Sequence, residues 1–297
     1  MQQAATAAFP IGIFDSGIGG LTVASAISRR LPHEQLIYFG DTAHMPYGEK
    51  SAEAIRHYSL RICDFLLQLG CKMVVIACNT ASASAYDAVR EQLGNRALLV
   101  NVIEPVATAV HRAGVGKVGV IATARTVKSG VYPAVLQKIS PSLQVKTKAT
   151  HSLASIIEEG LHRDEQVINA LIAHYLTDKE LDDIEGLILG CTHYPLIKAD
   201  IERYYLHKDK QYFKETGTRF NKPLYIFDST DTVAEAVYQL LLKHGVLNLA
   251  AGTPDSNDDM SPAAHRFYVS DYTSHFEQTA CDFFGKSIRL IHYPIWD

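Results

Sequence analysis

The stretches Val74-Val-Ile-Ala-Cys-Asn-Thr80 and Leu187-Ile-Leu-Gly-Cys-Thr-His193 share one pattern: an apolar run, a small residue, a cysteine, a polar residue, then Thr or His. Each reads as a strand that ends near its cysteine and passes into a helix. Continuous, largely β-branched runs suit strands covered on both faces, the condition of a parallel sheet flanked by helices. Working outward, residues 10–14, 36–39, 73–77, 98–102, 118–121 and 186–189 read as such strands, with amphipathic stretches between them. A glycine turn, Asp15-Ser-Gly-Ile-Gly-Gly20, leads from the first strand into a helix ending near Arg30. A longer loop, 40–50, opens a helix with Ser51 at its N-cap and Glu53 in its first turn. The class is α/β. The two cysteines stand 113 residues apart, about one domain length, so the repeat predicts two similar α/β halves. Ligands of open α/β sheets sit beyond the carboxyl ends of strands, and one pocket between the halves would then see a thiol from each. The Gly-, Pro- and Asp-rich stretch 249–264 reads as a mobile linker. Beyond it, 266–270 and 288–291 read as strands and 272–284 as a helix, a tail folded onto the body.

Composition narrows the possible functions. The chain has 297 residues, 47% of them hydrophobic and 20% charged, which sets aside disorder and fibrous repeats. Lys plus Arg number 28 against 32 Asp plus Glu, a net charge of −4, without the basic footprint of a general nucleic-acid binder. No apolar run approaches the ~20 residues needed to cross a bilayer. The opening Met1-Gln-Gln-Ala-Ala-Thr has neither the basic start nor the apolar core of a signal peptide. The expectation is a cytoplasmic protein with neither a nucleic-acid nor a membrane partner. Five cysteines, an odd number, form no CxxC pair, and the thirteen histidines show no HxxxH or HExxH spacing. Neither a disulfide framework nor a metal site is expected.

Free cysteine usually packs as a small hydrophobe, and Cys63, Cys71 and Cys281 are read that way. Cys78 and Cys191 differ: each ends a strand, precedes polar residues and has a counterpart in the other half. A helix N-terminus just beyond each sulfur would favour the reactive thiolate. A nucleophile mechanism needs one thiol with a histidine, and a disulfide would leave the polar neighbours unexplained. Two bases facing opposite sides of one carbon suit removal of a proton from one side and its return to the other, as in a racemase or epimerase. Asp15 and Ser16 open the glycine turn, whose N–H groups could hold a carboxylate; helix capping is the plainer role for Asp15. Asp41 ends the second strand and is counted with the substrate-binding candidates. Thr123 and Thr126 follow the strand 118–121, where hydroxyls often merely cap. His193, two residues past Cys191, could tune or share that thiol's proton.

Taken together, Asp15-Ser-Gly-Ile-Gly-Gly20, Gly40-Asp-Thr-Ala-His-Met-Pro-Tyr-Gly48, Ala77-Cys-Asn-Thr80 and Gly190-Cys-Thr-His193 resemble the signature motifs of the glutamate racemases. These are cofactor-independent members of the aspartate/glutamate racemase superfamily. Asp228-Ser-Thr230 resembles a further motif. The resemblance implies two open parallel-sheet, flavodoxin-like α/β domains with the active site between them. The first would comprise 1–100 plus 211–297, the second 101–210. It implies inversion at the α-carbon of glutamate without a cofactor, supplying D-glutamate for peptidoglycan, in a homodimer. Cys78 matches the thiol that works on D-glutamate and Cys191 the one that works on L-glutamate. Asp15 and His193 match their polar assistants, and Glu158, with Glu159 as the alternative register, matches an acidic helper. Ser16, Pro46, Tyr47, Gly48, Asn79, Thr80, Thr123, Thr126 and Thr192 match substrate contacts. The family usually carries Cys-Pro where this chain has His151-Ser152. Other readings are a racemase of aspartate or another acidic amino acid, a catalytically silent binding protein, and a thiol hydrolase using Cys191 and His193.

Overall fold

A computed structural model of the chain describes residues 7–177, 179–216, 224–249 and 264–297. They divide into two compact units, residues 1–105 with 229–297, and residues 106–228. Each unit is built on its own sheet, and every strand pair in both sheets is parallel.

In the first unit the strands are β1 (Ile11–Asp15), β2 (Leu36–Gly40), β3 (Met73–Ile76), β4 (Leu98–Asn101), β9 (Arg266–Val269) and β10 (Leu290–His292). Their order is β10-β9-β2-β1-β3-β4. Every residue of β1, β2 and β3 is buried, as strands covered on both faces require. The covering helices are α1 (Leu21–Arg30), α2 (Ala52–Gln68), α3 (Asn79–Leu93) and the late helices α10 (Ser229–Lys243) and α11 (Ser274–Phe284). Helix α2 starts where Ser51 accepts the Ala54 N–H. It buries Ile55, Ser59, Ile62, Cys63 and Leu66, a three-to-four-residue spacing that lays one face on the sheet. Ile62 and Leu66 join Val74, Ile76 and Phe39 in one apolar cluster, and burying each such side chain contributes roughly 1.5–3 kcal/mol. The tail 264–297 adds two strands to the edge of this sheet, β9 against β2 and β10 against β9. The stretch expected as a linker, 249–264, lies outside the described residues except for its two ends.

Helix α4 (Ile103–Ala113) carries the division between the units. The second unit holds β5 (Lys117–Ala122), β6 (Gln144–Ala149), β7 (Gly186–Gly190) and β8 (Tyr225–Phe227), in the order β6-β5-β7-β8. Its helices include α5 (Ala124–Ser129), α6 (Val131–Ile139), α7 (Leu153–Glu158), α8 (Glu165–Leu176) and α9 (Lys198–Thr216). The chain re-enters the first unit at Ser229, not near residue 211, because β8 pairs with β7 and keeps the segment up to Asp228 with the second sheet. Among the described residues no helix is long and apolar enough to cross a membrane.

His265 illustrates how the tail is tied down. Its Nδ1 accepts the Leu36 N–H at 3.2 Å, and its ring lies edge-on to Phe267 and Phe284. Burial, with help from Lys286, lowers its pKa from 6.5 to about 4. The unfolded chain therefore takes up a proton below pH 6.5 that the folded chain refuses. His265 contributes stability above that pH, and the contribution is lost as pH falls from 6.5 towards 4, up to about 2–3 kcal/mol. His265→Gln keeps an acceptor for Leu36 but cannot titrate. Its urea midpoint is expected to fall less steeply over that interval than the wild type's; parallel curves would refute the assignment.

Candidate active site

Parallel register decides which residues leave the first sheet together. Phe14 stands opposite Ile76 and Asp15 opposite Gly40. The ladder runs one step further through Ala77 N–H to Phe14 O (2.9 Å) and Asp41 N–H to Asp15 O (3.0 Å). Asp15, Asp41 and Cys78 consequently emerge side by side at the carboxyl edge. Asp15 is fully buried, and its Oδ2 accepts the N–H groups of Gly17 (3.3 Å) and Gly20 (3.0 Å). Gly20 must lack a side chain: a Cβ there would lie 2.6 Å from Asp15 Cβ and 3.0 Å from Ala77 Cβ. Cys78 is the N-cap of α3, with its Sγ accepting the Ala81 N–H at 3.4 Å and lying 3.6 Å from Ser16 Oγ. The positive end of a 15-residue helix thus faces this sulfur and favours negative charge on it. Asn79 and Thr80, both buried, form the first turn of that helix.

The loop after β2 is organised by Asp41, which is fully buried. Its carboxylate accepts the hydroxyl of Tyr47 (2.6 Å), the hydroxyl of Ser270 (2.8 Å) and the indole N–H of Trp296 (2.8 Å), and meets His44 Nδ1 at 3.0 Å. Burial, reinforced by Asp41, holds the Tyr47 phenol well above its ordinary pKa, so Tyr47 remains the donor. Pro46 is exposed and Gly48 half-buried beside it.

The second sheet repeats the arrangement with different chemistry. Ala122 stands opposite both Ala149 and Gly190, so Thr123, Thr150 and Cys191 leave the edge together. Gly190 also admits no side chain, since a Cβ would sit 2.9 Å from Ile121 O. Cys191 does not cap an α-helix as Cys78 does. A 3-10 turn, Tyr194–Ile197, follows, and α9 begins only at Lys198. Pro195, at the start of that turn, has no N–H to offer. The neighbour of this thiol is instead His193, whose Nδ1 lies 3.6 Å from Cys191 Sγ and 3.5 Å from Thr192 Oγ1. His193 Nε2 is 3.7 Å from Glu158 Oε2. Burial alone would lower the imidazole pKa, but Cys191 and Glu158 outweigh it and hold His193 well above its ordinary value. Glu159, the alternative register, is exposed. Ser152, the N-cap of helix α7, which carries Glu158, has a φ of +63°. Proline, locked near −65°, could not adopt that backbone, consistent with Ser where the resembled motif has Cys-Pro. Thr123 caps α5 by accepting the Thr126 N–H at 3.3 Å, and the two hydroxyls meet at 3.0 Å.

Residues outside the sequence expectation complete both clusters. Tyr132 and Tyr194 are buried near Cys191; burial and then this sulfur raise both phenol pKa values, and Tyr194 bonds Thr150. Ser270 and Trp296 reach Asp41 from the tail. Among the described residues no three of His, Cys, Asp and Glu are grouped to hold a metal ion.

Comparison with known proteins returns a consistent picture. The sequence profile of a family described as Asp/Glu/Hydantoin racemase matches residues 21–237. The chain is 38% identical over 282 residues, 95% of each chain, to a glutamate racemase of Neisseria meningitidis. A crystal structure of glutamate racemase from Francisella tularensis, in complex with D-glutamate, superposes with a TM-score of 0.82 at 31% identity, covering 98% of this chain and 99% of that one. A glutamate racemase isoform from Bacillus anthracis gives 0.83 at 32% identity, covering 96% and 98%.

Proposed function

The chain belongs to the Asp/Glu/Hydantoin racemase family, and from that premise we propose that it interconverts L- and D-glutamate without a cofactor. The observation that carries the reading is the pair of buried strand-end thiols, one in each unit, each beside a group able to manage a proton. Inversion requires a base for one face of the α-carbon and an acid for the other. For L-glutamate, Cys191 as thiolate removes the α-proton and Cys78 as thiol supplies the new one; for D-glutamate the roles reverse. The α-proton is far less acidic than a thiol, whose ordinary pKa is about 8.5. Close positioning of the reacting atoms and fixed donors for the developing negative charge must supply the difference. The half-buried hydroxyl of Ser16, the first turn of α3 at Asn79 and Thr80, and the Thr123, Thr126 and Thr192 hydroxyls are assigned to holding the amino acid, with Pro46, Tyr47 and Gly48. The relatives' names and the motif resemblance support glutamate as substrate. With that activity go a supply of D-glutamate for peptidoglycan, a cytoplasmic site of action and a homodimer.

Circular dichroism tests this directly. Purified protein, dialysed against EDTA and treated with hydroxylamine to remove metal and carbonyl cofactors, is expected to drive an L-glutamate signal to zero as the racemate forms. L-Aspartate, one methylene shorter, leaves the groups built for the distal carboxylate unpaired and is expected to turn over at least about a hundredfold more slowly. A persistent L-glutamate signal, or equal turnover of the two amino acids, would overturn the assignment.

A further inference from the structure

Asp41 gathers donors from two distant parts of the first unit. Tyr47 and His44 come from its own loop, while Ser270 and Trp296 come from the tail. Trp296 is the penultimate residue and the chain's single tryptophan. Its ring meets His44 edge-on at 4.6 Å and Tyr58 at 5.2 Å, and His44 in turn stacks on Tyr58 at 4.0 Å. The preceding carbonyl, Ile295 O, accepts the Arg61 guanidinium at 3.1 Å, which fastens this end of the tail to α2. The tail therefore does more than widen the sheet: it grips the carboxylate that also holds the Tyr47 hydroxyl.

We propose that Trp296 is a positioning residue for the substrate loop Pro46-Tyr47-Gly48, acting through the Asp41 carboxylate. The proposal rests on the glutamate reading above. A buried carboxylate held by donors at both oxygens has one orientation. Remove the indole N–H and Oδ1 keeps Ser270 and His44 but loses one charge-assisted bond and the side chain that holds it from the tail. The carboxylate can then turn, and Tyr47 loses the geometry that fixes its loop. Trp296 is half-buried and packs against the edge of the apolar cluster, so the replacement that tests its N–H must keep an aromatic ring.

Trp296→Phe keeps an aromatic ring against His44 and Tyr58 but removes the donor. It is expected to raise KM for both enantiomers about tenfold, the order of one charge-assisted hydrogen bond, with kcat changed less than about twofold and the thermal midpoint unchanged. Ser270→Ala, which removes another donor to Oδ1, should act in the same direction. The double variant Trp296→Phe/Tyr47→Phe should be no worse than the worse single variant, because both act along one path. A wild-type KM in Trp296→Phe, multiplicative effects in the double variant, or a loss of activity that tracks a lowered thermal midpoint would each overturn the proposal. The single tryptophan gives a readout without turnover: Tyr47→Phe should shift its emission, and unchanged emission would speak against a link through Asp41. The underlying reading fails separately, if the wild type does not racemise glutamate at all; an active wild type with an indifferent Trp296→Phe sinks this inference alone.

Discussion

Cys78→Ala and Cys191→Ala should each abolish racemisation in both directions, by about 10⁴-fold or more, the upper range for loss of an essential acid or base. In the proposed reaction each direction uses one sulfur to take the proton and the other to give one. Removing either therefore stops both, although the other half keeps its own buried thiol. A thiol hydrolase built on Cys191 and His193 would instead tolerate loss of Cys78. Deuterium oxide separates the two-thiol reaction from a single-base swing. In the two-thiol reaction the delivered proton would come from a group that exchanged with solvent before the substrate bound. Newly formed D-glutamate should carry deuterium at the α-carbon from the earliest turnovers, while the remaining L-glutamate carries little. Early product that retains its own hydrogen would point to one base reaching both faces, and the equal roles of Cys78 and Cys191 would then fall.

The fold and the thiols were legible for the same physical reason. Strands β1, β2, β3 and β7 are buried throughout, so their sequences are unbroken apolar runs that end where the polar site begins. Two strands escaped that reading. β6, Gln-Val-Lys-Thr-Lys-Ala, lies at a sheet edge and is half-buried at best, so it alternates polar and apolar residues. β8 has three residues, too few to stand out as a strand, and it keeps the chain with the second sheet beyond residue 211, where the resemblance put the domain return. The turn after Cys191 was misread for a related reason: the sequence repeat with Cys78 suggested an identical strand-to-helix step, whereas Pro195 delays the helix to Lys198. Asp41 was visible as a polar strand end, but its partners were not. Ser270 and Trp296 are 229 and 255 residues away in sequence, and only the addition of β9 beside β2 brings them near.

The two thiols are thus equipped differently. Cys78 has a helix N-terminus and a hydroxyl beside it, whereas Cys191 has a histidine whose pKa, against the pull of burial, Cys191 and Glu158 hold above its ordinary value. In the proposed reaction His193 lies 3.6 Å from the sulfur assigned to removing the α-proton of L-glutamate. His193→Asn should therefore lower kcat/KM by about a hundredfold, because the proton-managing group beside Cys191 is lost. The wild type's alkaline limb, where His193 itself deprotonates above its ordinary range, should disappear. Glu158→Gln is expected to cost about tenfold and to shift that alkaline limb downward instead, since the carboxylate helps hold the His193 proton. An alkaline limb left in place by His193→Asn would remove the histidine from the proton chemistry. Both variants face a further constraint. Two enantiomers have equal free energies, so kcat/KM for L- and D-glutamate must stay equal in any variant. The asymmetry between Cys78 and Cys191 can emerge only in kcat and KM taken separately. Steady-state kinetics in both directions should accordingly show His193→Asn changing the L/D ratio of kcat and the L/D ratio of KM by the same factor. Unequal kcat/KM values would mean that the reaction measured is not the interconversion of glutamate enantiomers.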